Sequence, residues 1–322
     1  MYSRRDFAKI AAGSIPLARG LWAVNSTIHG VRVALQSASF SFSGIGIEGI
    51  VKTMVDLGIA EIDVMSEHVE NFLGAPVALP GAGRPGPWTR RAGTPPAAAP
   101  GGAAGGAPGG SGGAGRGGDP AAREALRKWR MEADLDKFRA VGKRFTDAGL
   151  RFFAYNLSFN DTFTDDEIEK GFLMTKALGT SIITASSPAS IFPRIAPFAE
   201  KHNVVVAMHN HTTGPEEFEQ AMAASRKIWV NLDLGHFLAL GNDPIAYIKK
   251  HHARITNIHL KDRKKDRGPE MPFGEGDTPL KEALQLLKKE KYGFPACIEL
   301  VGPEGPAVEL KRCFDYCRAA LA

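Results

Sequence analysis

Four side chains of types that commonly bind divalent metals stand at the ends of four successive apolar segments. They are His209, Asp233, His259 and Glu299. Imidazole and carboxylate ligands together suit Mn²⁺, Zn²⁺, Co²⁺ or Fe²⁺ better than Ca²⁺ or Mg²⁺. Taken singly, these residues also have ordinary explanations, as a core histidine, a turn acid or a solvated strand end. Together they predict a site for one divalent ion, with Mn²⁺ or Zn²⁺ as first candidates and Co²⁺ or Fe²⁺ as alternatives.

Groups able to transfer protons lie close to these residues in the sequence. The candidate general acids and bases are Glu299, His236, His211 and Lys261. The alternative for Lys261 is a structural role, as a solvated lysine or in an ion pair with Asp262. Whether His209 or His211 faces the ion stays open, because a register shift of one residue exchanges the two faces of a strand.

The apolar segments belong to a regular alternation of short strands and longer helices. Strands are predicted at residues 32–36, 60–64, 151–156, 181–185, 203–208, 228–233, 255–260 and 296–300. Amphipathic helices are predicted at residues 46–57, 120–148, 165–178, 190–201, 215–226, 243–252, 279–290 and 305–321. Short strands followed by helices of about ten residues or more indicate parallel βαβ units. The series predicts an α/β fold of the (β/α)8 TIM-barrel type.

A barrel would bring the candidate residues to one place. Active sites of TIM barrels lie at the C-terminal ends of the strands, because those ends and their loops form one face. Asn156 ends the third predicted strand and Glu299 lies in the eighth, while the other metal candidates end the fifth to seventh. A dinucleotide-binding sheet is less consistent with the chain, since no glycine-rich phosphate loop follows the first strand.

Several short segments carry a resemblance to a known family. They are residues 33–37, 58–63, 208–211, 231–236, 258–262, 273–277 and 298–299. The most specific are Asp-x-Gly-His from Asp233, His-x-Lys-Asp from His259 and Gly-Glu-Gly-Asp from Gly274, in this order. From residue 32 to its end, residues 80–118 excepted, the chain resembles the sugar phosphate isomerase/epimerase family with the xylose-isomerase-like barrel. These motifs indicate the family and no particular substrate.

The resemblance implies roles for individual residues. In that family, strand-end residues at these positions bind one divalent ion, and the ion holds adjacent oxygens of the sugar. The positions that match are His209, Asp233, His259 and Glu299. The resemblance also implies that His236 contacts the substrate. Asn156 and Glu275 are further candidate substrate-binding residues, and the alternative for Glu275 is that it only fixes its own glycine-rich loop.

One position departs from the family pattern. Many members, ketose 3-epimerases among them, have a glutamate where this chain has His209, and they use two glutamates as acid and base. Of such a pair only Glu299 is present here. The His-Asn-His sequence that begins at His209 resembles relatives such as inosose dehydratases and keto-sugar lyases.

Two reaction types are therefore predicted. A divalent ion on a carbonyl and its neighbouring hydroxyl stabilises the enediolate that forms when the α-proton leaves. Return of the proton gives isomerisation or epimerisation, and loss of the β-oxygen gives elimination. The first expectation is a metal-dependent isomerase or epimerase of an unphosphorylated sugar or sugar derivative. The alternative is a lyase or dehydratase that acts on a keto-sugar or 3-keto-glycoside.

Two further functional classes are less consistent with the chain. A phosphodiesterase resembling the endonucleases that share this barrel would need more histidine and glutamate ligands and a basic groove. A non-catalytic sugar-binding barrel would have no use for a complete set of ligands.

The N-terminus predicts export. Residues 3–9, Ser-Arg-Arg-Asp-Phe-Ala-Lys, and the weakly apolar stretch after them resemble a twin-arginine signal over residues 1–23. The alternative is a short surface helix with an incidental arginine pair. With the signal removed near Val24, the barrel domain, residues 30–322, would be periplasmic or extracellular. Phosphorylated substrates are rare there, which favours an unphosphorylated sugar.

Residues 80–118 predict a disordered insertion after the second strand. This stretch holds 15 of the 36 glycines and 7 of the 21 prolines, and Trp88 is its only large apolar residue. Such a composition buries too little apolar surface to offset the entropy of ordering. A passive expansion of one loop is the first interpretation, and a substrate lid is the alternative.

The charge distribution argues against nucleic acid as a partner. The net charge is +5, but residues 1–23 carry +3 and residues 80–118 carry +4, which leaves −2 for the rest. No run of apolar residues is long enough for an ordinary membrane span, and no cysteine follows the signal to carry a lipid anchor. The three cysteines are too few for a disulfide framework. The expected partner is a small carbohydrate, and a homo-oligomer is left open.

Overall fold

The computed structural model describes residues 24–83 and 119–322. The predicted signal sequence, residues 1–23, lies outside the described part of the chain. The predicted insertion lies outside it from residue 84 to residue 118, and only its first residues, 80–83, are described, in a turn.

Within the described residues, parallel strands close into a barrel, which confirms the predicted (β/α)8 fold. Its strands follow one another around the barrel in chain order, and the first pairs with the last. They are β2 Val31–Gln36, β3 Glu61–Met65, β4 Arg151–Asn156, β5 Ile182–Ala185, β6 Val205–His209, β7 Ile228–Asp233, β8 Ile255–Leu260 and β11 Ala296–Ile298. The short strand β1, Thr27–Ile28, pairs antiparallel with β2, and β9, Asp262–Arg263, pairs with β10, Glu270–Met271.

Helices cover the outside of the barrel. Those among the described residues are α1 Ile47–Leu57, α2 Ser66–Phe72, α3 Pro120–Glu132, α4 Leu135–Asp147, α5 Asp165–Ala177, α6 Phe192–His202, α7 Pro215–Ala223, α8 Leu234–Ala239, α9 Pro244–His251, α10 Leu280–Glu290 and α11 Pro306–Leu321. No helix of the described segments is long and apolar enough to cross a membrane.

Two features of the helices differ from the sequence expectations. The single helix predicted over residues 120–148 is two helices, because Ala133 is extended and the Asp134 side chain accepts the N–H of Asp136 as an N-cap. Helices α2 and α8 were not predicted at all. Every residue of α8 is buried, so this helix has no polar face and shows no amphipathic period.

Barrel strands are buried on both faces, and this places polar side chains in the barrel interior. All six residues of β8 are buried, although its sequence, Ile-Thr-Asn-Ile-His-Leu, is half polar. Strand residues alternate between the helix side and the interior, so Asn257 and His259 share the interior face. A buried polar group needs a hydrogen-bond partner. Polar side chains that point into the barrel interior therefore contact one another, and some of them form the site described below.

A buried ion network joins the helices on either side of residues 84–118. The Arg130 guanidinium on α3 donates to both oxygens of Glu70 on α2, at 2.8 and 3.0 Å. It also donates to Glu167 Oε1 on α5, at 3.0 Å. Buried pairs are costly to break, because the remaining charge loses its partner. The network thus holds α2 and α3 together independently of the chain between them.

Candidate metal centre

The four predicted metal ligands meet at the C-terminal mouth of the barrel. His209 and Asp233 are the last residues of β6 and β7, His259 is the fifth residue of β8, and Glu299 directly follows β11. One ligand atom from each residue lies within 4.8 Å of the corresponding atoms of the other three. All four side chains are buried, at 5% exposure or less. We call this set the ligand cluster.

Each member of the ligand cluster has a buried polar atom without a hydrogen-bond partner among residues 24–83 and 119–322. These atoms are His209 Nδ1, Asp233 Oδ2, His259 Nδ1 and Glu299 Oε2. The last two lie 2.7 Å apart but are not aligned as donor and acceptor. Buried lone pairs without a donor are costly, and native proteins leave few of them. Two nitrogens and two oxygens converging in this way fit a single divalent ion.

Asp233 is held in place by its own neighbours in the sequence and by Asn210. Its Oδ1 atom accepts the N–H of His236 at 2.7 Å, as the N-cap of α8. The Asn210 side chain accepts the N–H of Asp233 at 2.8 Å and donates to its carbonyl at 3.1 Å. With the backbone and one oxygen fixed, Oδ2 is the atom left to the ligand cluster.

Lys261 is buried beside the ligand cluster. Its Nζ atom donates to Glu299 Oε1 at 3.1 Å and to Glu270 Oε1 at 3.0 Å. The suggested ion pair with Asp262 is wrong. The Asp262 carboxylate instead accepts N–H groups of the glycine-rich loop, from Gly274, Gly276 and Thr278. This loop is therefore fixed by Asp262 and not by Glu275, whose side chain is exposed.

His211 and His236 lie at the same mouth but outside the ligand cluster. The His211 ring is 4.7 Å from the His209 ring and 4.9 Å from the His236 ring, and its Nε2 atom is 3.1 Å from Ser186 Oγ. His236 Nδ1 accepts from Arg263 Nη1 at 2.8 Å. Because a guanidinium only donates, we assign the neutral His236 ring a proton on Nε2. This nitrogen is buried and has no hydrogen-bond partner within the described segments.

Burial and neighbouring charges shift the titration of these groups. Burial lowers the pKa of His209 and His236 well below the usual value, and nearby cationic groups lower both further. Burial raises the pKa of Asp233 to about 7. For His259, burial lowers the pKa, but contacts with Asp63 and Glu299 outweigh it and raise the pKa to about 9. Burial likewise opposes ionisation of Glu299, but Lys261 and His259 hold its pKa well below the usual value.

A small pocket opens onto the ligand cluster. Its lining is uncharged or imidazole apart from Glu299, and consists of Gln36, Ala38, Met65, Asn156, Ser186, His209, His211, His259 and Glu299. Asn156 is 4% exposed, and its Oδ1 atom has no hydrogen-bond partner in the described part of the chain. The structure thus places Asn156, His211 and three members of the ligand cluster around one space. Glu275 does not line it.

Several residues of the site were not identified from the sequence as functional. Asn210, Arg263 and Glu270 hold Asp233, His236 and Lys261 respectively. Asn210 lies within the His-Asn-His segment, so its position was visible although its contact was not. Arg263 and Glu270 act through side-chain contacts that no local pattern encodes.

Comparison with known proteins agrees with this architecture. The family model described as "Xylose isomerase-like TIM barrel" matches residues 188–317. L-ribulose-5-phosphate 3-epimerase of Salmonella paratyphi A is 31% identical over 98 residues, which are 29% of this chain and 34% of that protein. The chain therefore spans about a third of the length of the curated relatives it matches.

Solved structures share the fold at low sequence identity. The probable 3-DHS dehydratase of Bacillus anthracis, described as involved in petrobactin synthesis, superimposes with a TM-score of 0.58 at 13% identity, covering 90% of this chain and 97% of that one. The IOLI protein, whose structure contains a zinc atom, superimposes with a TM-score of 0.57 at 12% identity, covering 90% and 98%.

Proposed function

We propose that this chain is a divalent-metal-dependent sugar isomerase or epimerase of the sugar phosphate isomerase/epimerase family. Its substrate is an unphosphorylated sugar or sugar derivative, and the reaction passes through an enediolate. The observation that carries the proposal is the convergence of four buried, unpartnered ligand atoms at the barrel mouth. The similarity to a sugar-phosphate epimerase supports the reaction class, and the zinc atom in the IOLI structure supports the metal.

The bound ion would be held by His209, Asp233, His259 and Glu299, and would polarise the substrate carbonyl and stabilise negative charge that develops on it. Lys261 stays protonated beside Glu299, because its ion pairs with Glu270 and Glu299 outweigh burial and raise the pKa above the usual range. Lys261 is therefore a cation or an acid and not a base. His236 offers its Nε2–H to a substrate oxygen.

These assignments leave Glu299 and His211 as the groups that move protons between carbon atoms or faces. Glu299 Oε1 accepts a hydrogen bond from Lys261, whose charge keeps the pKa of this carboxylate low, so the carboxylate is ionised and can accept a proton. His211 lines the same pocket as Glu299. Two proton-transfer groups at one pocket are what isomerisation or epimerisation requires.

The pocket chemistry supports an uncharged substrate. Among the described residues, the pocket lining contains amide, hydroxyl and imidazole groups and neither lysine nor arginine. Gln36, Asn156 and Ser186 offer donors and acceptors suited to sugar hydroxyls. A phosphate group would call for cationic side chains or a helix N-terminus aimed at it.

A lyase or dehydratase is the second candidate. It is favoured by His209, which stands where epimerases of the family have a glutamate, and by the fold shared with a probable dehydratase. Elimination needs an acid for the departing oxygen, and His211, which lines the pocket, is the candidate for this role. The substrate would be a keto-sugar or 3-keto-glycoside.

We also propose that the protein acts outside the cytoplasm. The support is the twin-arginine pattern of residues 3–9 and the weakly apolar stretch that follows. Fractionation of cells expressing the full chain tests this proposal, with an Arg4→Lys, Arg5→Lys double variant as the control. Export of the parent chain and retention of the variant in the cytoplasm are expected, and equal distribution of the two would contradict it.

Proton NMR in D2O distinguishes the two reactions. The full chain, loaded with Zn²⁺, is incubated with ketoses, aldoses and 3-keto-glycosides beside Glu299→Gln and Glu282→Gln, a substitution at an exposed site on α10. Deuterium next to the carbonyl, with all substituents retained, identifies an isomerase or epimerase. Release of water or aglycone with an unsaturated ketone identifies a lyase. Absence of exchange in the zinc-loaded parent chain would contradict enolisation.

A further inference from the structure

Asp63 is a carboxylate buried inside the barrel, below the mouth. It is fully buried in the middle of β3, and both of its oxygens lie 2.9 Å from Thr184 Oγ1 on β5. One hydroxyl donates one proton, so Thr184 satisfies only part of what a carboxylate needs. A buried charge without a further partner is costly, which calls for a reason why an acid stands here.

The ring that faces the Asp63 carboxylate is the imidazole of His259. Its Nε2 atom lies 3.6 Å from Asp63 Oδ2, whereas its Nδ1 atom belongs to the ligand cluster, 2.7 Å from Glu299 Oε2. The imidazole therefore lies between two carboxylates, one inside the barrel and one at the mouth. The Asn231 amide also faces Nε2, with its Nδ2 atom 3.1 Å away, while its buried Oδ1 atom has no partner among the described residues. A 180° turn of this amide exchanges its oxygen and nitrogen and makes it an acceptor for Nε2–H.

The pairing of neighbouring strands shifts register beside both residues that face His259 Nε2, Asp63 and Asn231. The pairing of β3 with β4 shifts register between Ile62 and Asp63, and the pairing of β7 with β8 shifts between Val230 and Asn231. Such shifts re-aim side chains and are frequent near functional sites. Here each shift comes directly before a residue that faces the same ring nitrogen.

We propose that Asp63 is a positioning residue of the metal centre. Its carboxylate, 3.6 Å from Nε2, keeps the proton of His259 on that nitrogen and so leaves the Nδ1 lone pair for the ion. A carboxylate behind a metal-binding histidine fixes the tautomer and ring orientation and makes the ring a stronger ligand. Asp63 does not line the pocket, so its effect on metal and substrate passes through His259. This inference rests on the proposed metal site.

Metal affinity of an Asp63→Asn variant tests the proposal. The Kd for Zn²⁺ is measured by competition with a chromogenic chelator, and the variant is expected to bind 10- to 100-fold more weakly, an order of magnitude typical of such partners. The absorption spectrum of the Co²⁺-loaded protein is expected to shift, because the His259 ligand field weakens. The control is Glu70→Gln, which removes another buried carboxylate, one that pairs with Arg130.

The control separates positioning from a general loss of stability. Glu70→Gln is expected to lower the free energy of unfolding and to leave the Kd and the Co²⁺ spectrum unchanged. An unchanged Kd in Asp63→Asn, or equal weakening in both variants, would overturn the proposal. If the parent chain itself binds no Zn²⁺, the proposed function fails, which is a different outcome.

A second measurement needs no Asp63 variant. Long-range ¹H–¹⁵N correlation spectra of the Zn²⁺-loaded full chain report which ring nitrogen of each histidine carries a proton, and His259→Gln identifies the resonances by their loss. A proton on Nε2 and the ion on Nδ1 are expected for His259. A proton on Nδ1 would overturn the proposal, even if Asp63→Asn failed to fold.

Discussion

The Lys261 ammonium donates a 3.1 Å hydrogen bond to one oxygen of Glu299, while the other oxygen of that carboxylate faces His259. Glu299 therefore has one oxygen committed to a buried cation and one available to an ion. Without the ion, Lys261 and the His259 ring are the positive partners that offset the charge of Glu299. The pair would therefore link the stability of the barrel mouth to the occupancy of the proposed metal site.

Replacement of Lys261 with Met is expected to destabilise the metal-free protein strongly. Loss of one partner of a buried pair costs about 3–5 kcal/mol, because the other charge stays buried. Zn²⁺ should recover part of this loss, since it supplies positive charge to Glu299. Urea unfolding with a chelator and with Zn²⁺ measures both effects.

Lys264→Met is the matched control for Lys261→Met. Lys264 pairs with Asp277 at 3.3 Å on the surface, where solvent screens the ion pair and its contribution to stability is small. A loss of stability in Lys261→Met no larger than in the control would show that the Lys261–Glu299 contact does not hold the mouth together.

The two histidines of the His-Asn-His segment are expected to behave differently. His209→Ala should lose bound Zn²⁺, because His209 belongs to the ligand cluster, whereas His211→Ala should keep it, because His211 faces Ser186. Metal analysis after dialysis measures the difference. Equal zinc content in the two variants would refute the assignment of His209 as the ligand.

Asn210→Ala is expected to weaken both the fold and the metal site. It removes both side-chain partners of the Asp233 backbone, and buried groups left without partners cost about 1–3 kcal/mol each. Asn160→Ala removes a surface contact with Thr162 and should cost about 1 kcal/mol or less. Denaturant unfolding and Zn²⁺ titration check both variants. Unchanged zinc affinity in Asn210→Ala would mean that Asp233 does not depend on this support.

The buried ring of His68 predicts sensitivity to acid. Burial lowers the pKa of His68 from 6.5 to about 4 in the folded chain. Between these values the unfolded chain binds a proton that the folded chain does not, so acid favours unfolding. The stabilising contribution is complete above pH 6.5 and is lost as the pH falls towards 4, amounting to roughly 3 kcal/mol.

A His68→Gln variant isolates this contribution. From pH 7 to pH 4, the free energy of unfolding of the parent chain should fall by roughly 3 kcal/mol more than that of the variant. Chemical denaturation at a series of pH values, with a chelator present, gives the slope of the free energy of unfolding against pH for each protein. Parallel slopes would show that His68 is not the residue responsible.

The sequence predicted the barrel and the ligand cluster because both follow from local patterns. Short apolar strands alternate with amphipathic helices, and in a parallel barrel the strand ends meet at one mouth. The contacts that support the cluster could not be predicted in this way. Asp63 and His259 are 196 residues apart, and their contact depends on register shifts that leave no mark in the hydrophobic pattern.

Helix α8 was missed for a related reason. Its side chains pack on all sides, so burial removes the polar face that identifies a helix in a sequence. The choice between His209 and His211 likewise required the register of β6, in which His209 is the last strand residue.

Anomalous diffraction from crystals of the full chain soaked with Zn²⁺ tests the central claim most directly. One strong peak is expected at the barrel mouth, about 2.0–2.3 Å from a ligand atom of each of His209, Asp233, His259 and Glu299. The same soak of Asp233→Asn crystals should give a weaker peak or none. No peak at the mouth of the parent protein, or a peak held by His211 and His236 instead, would contradict the account.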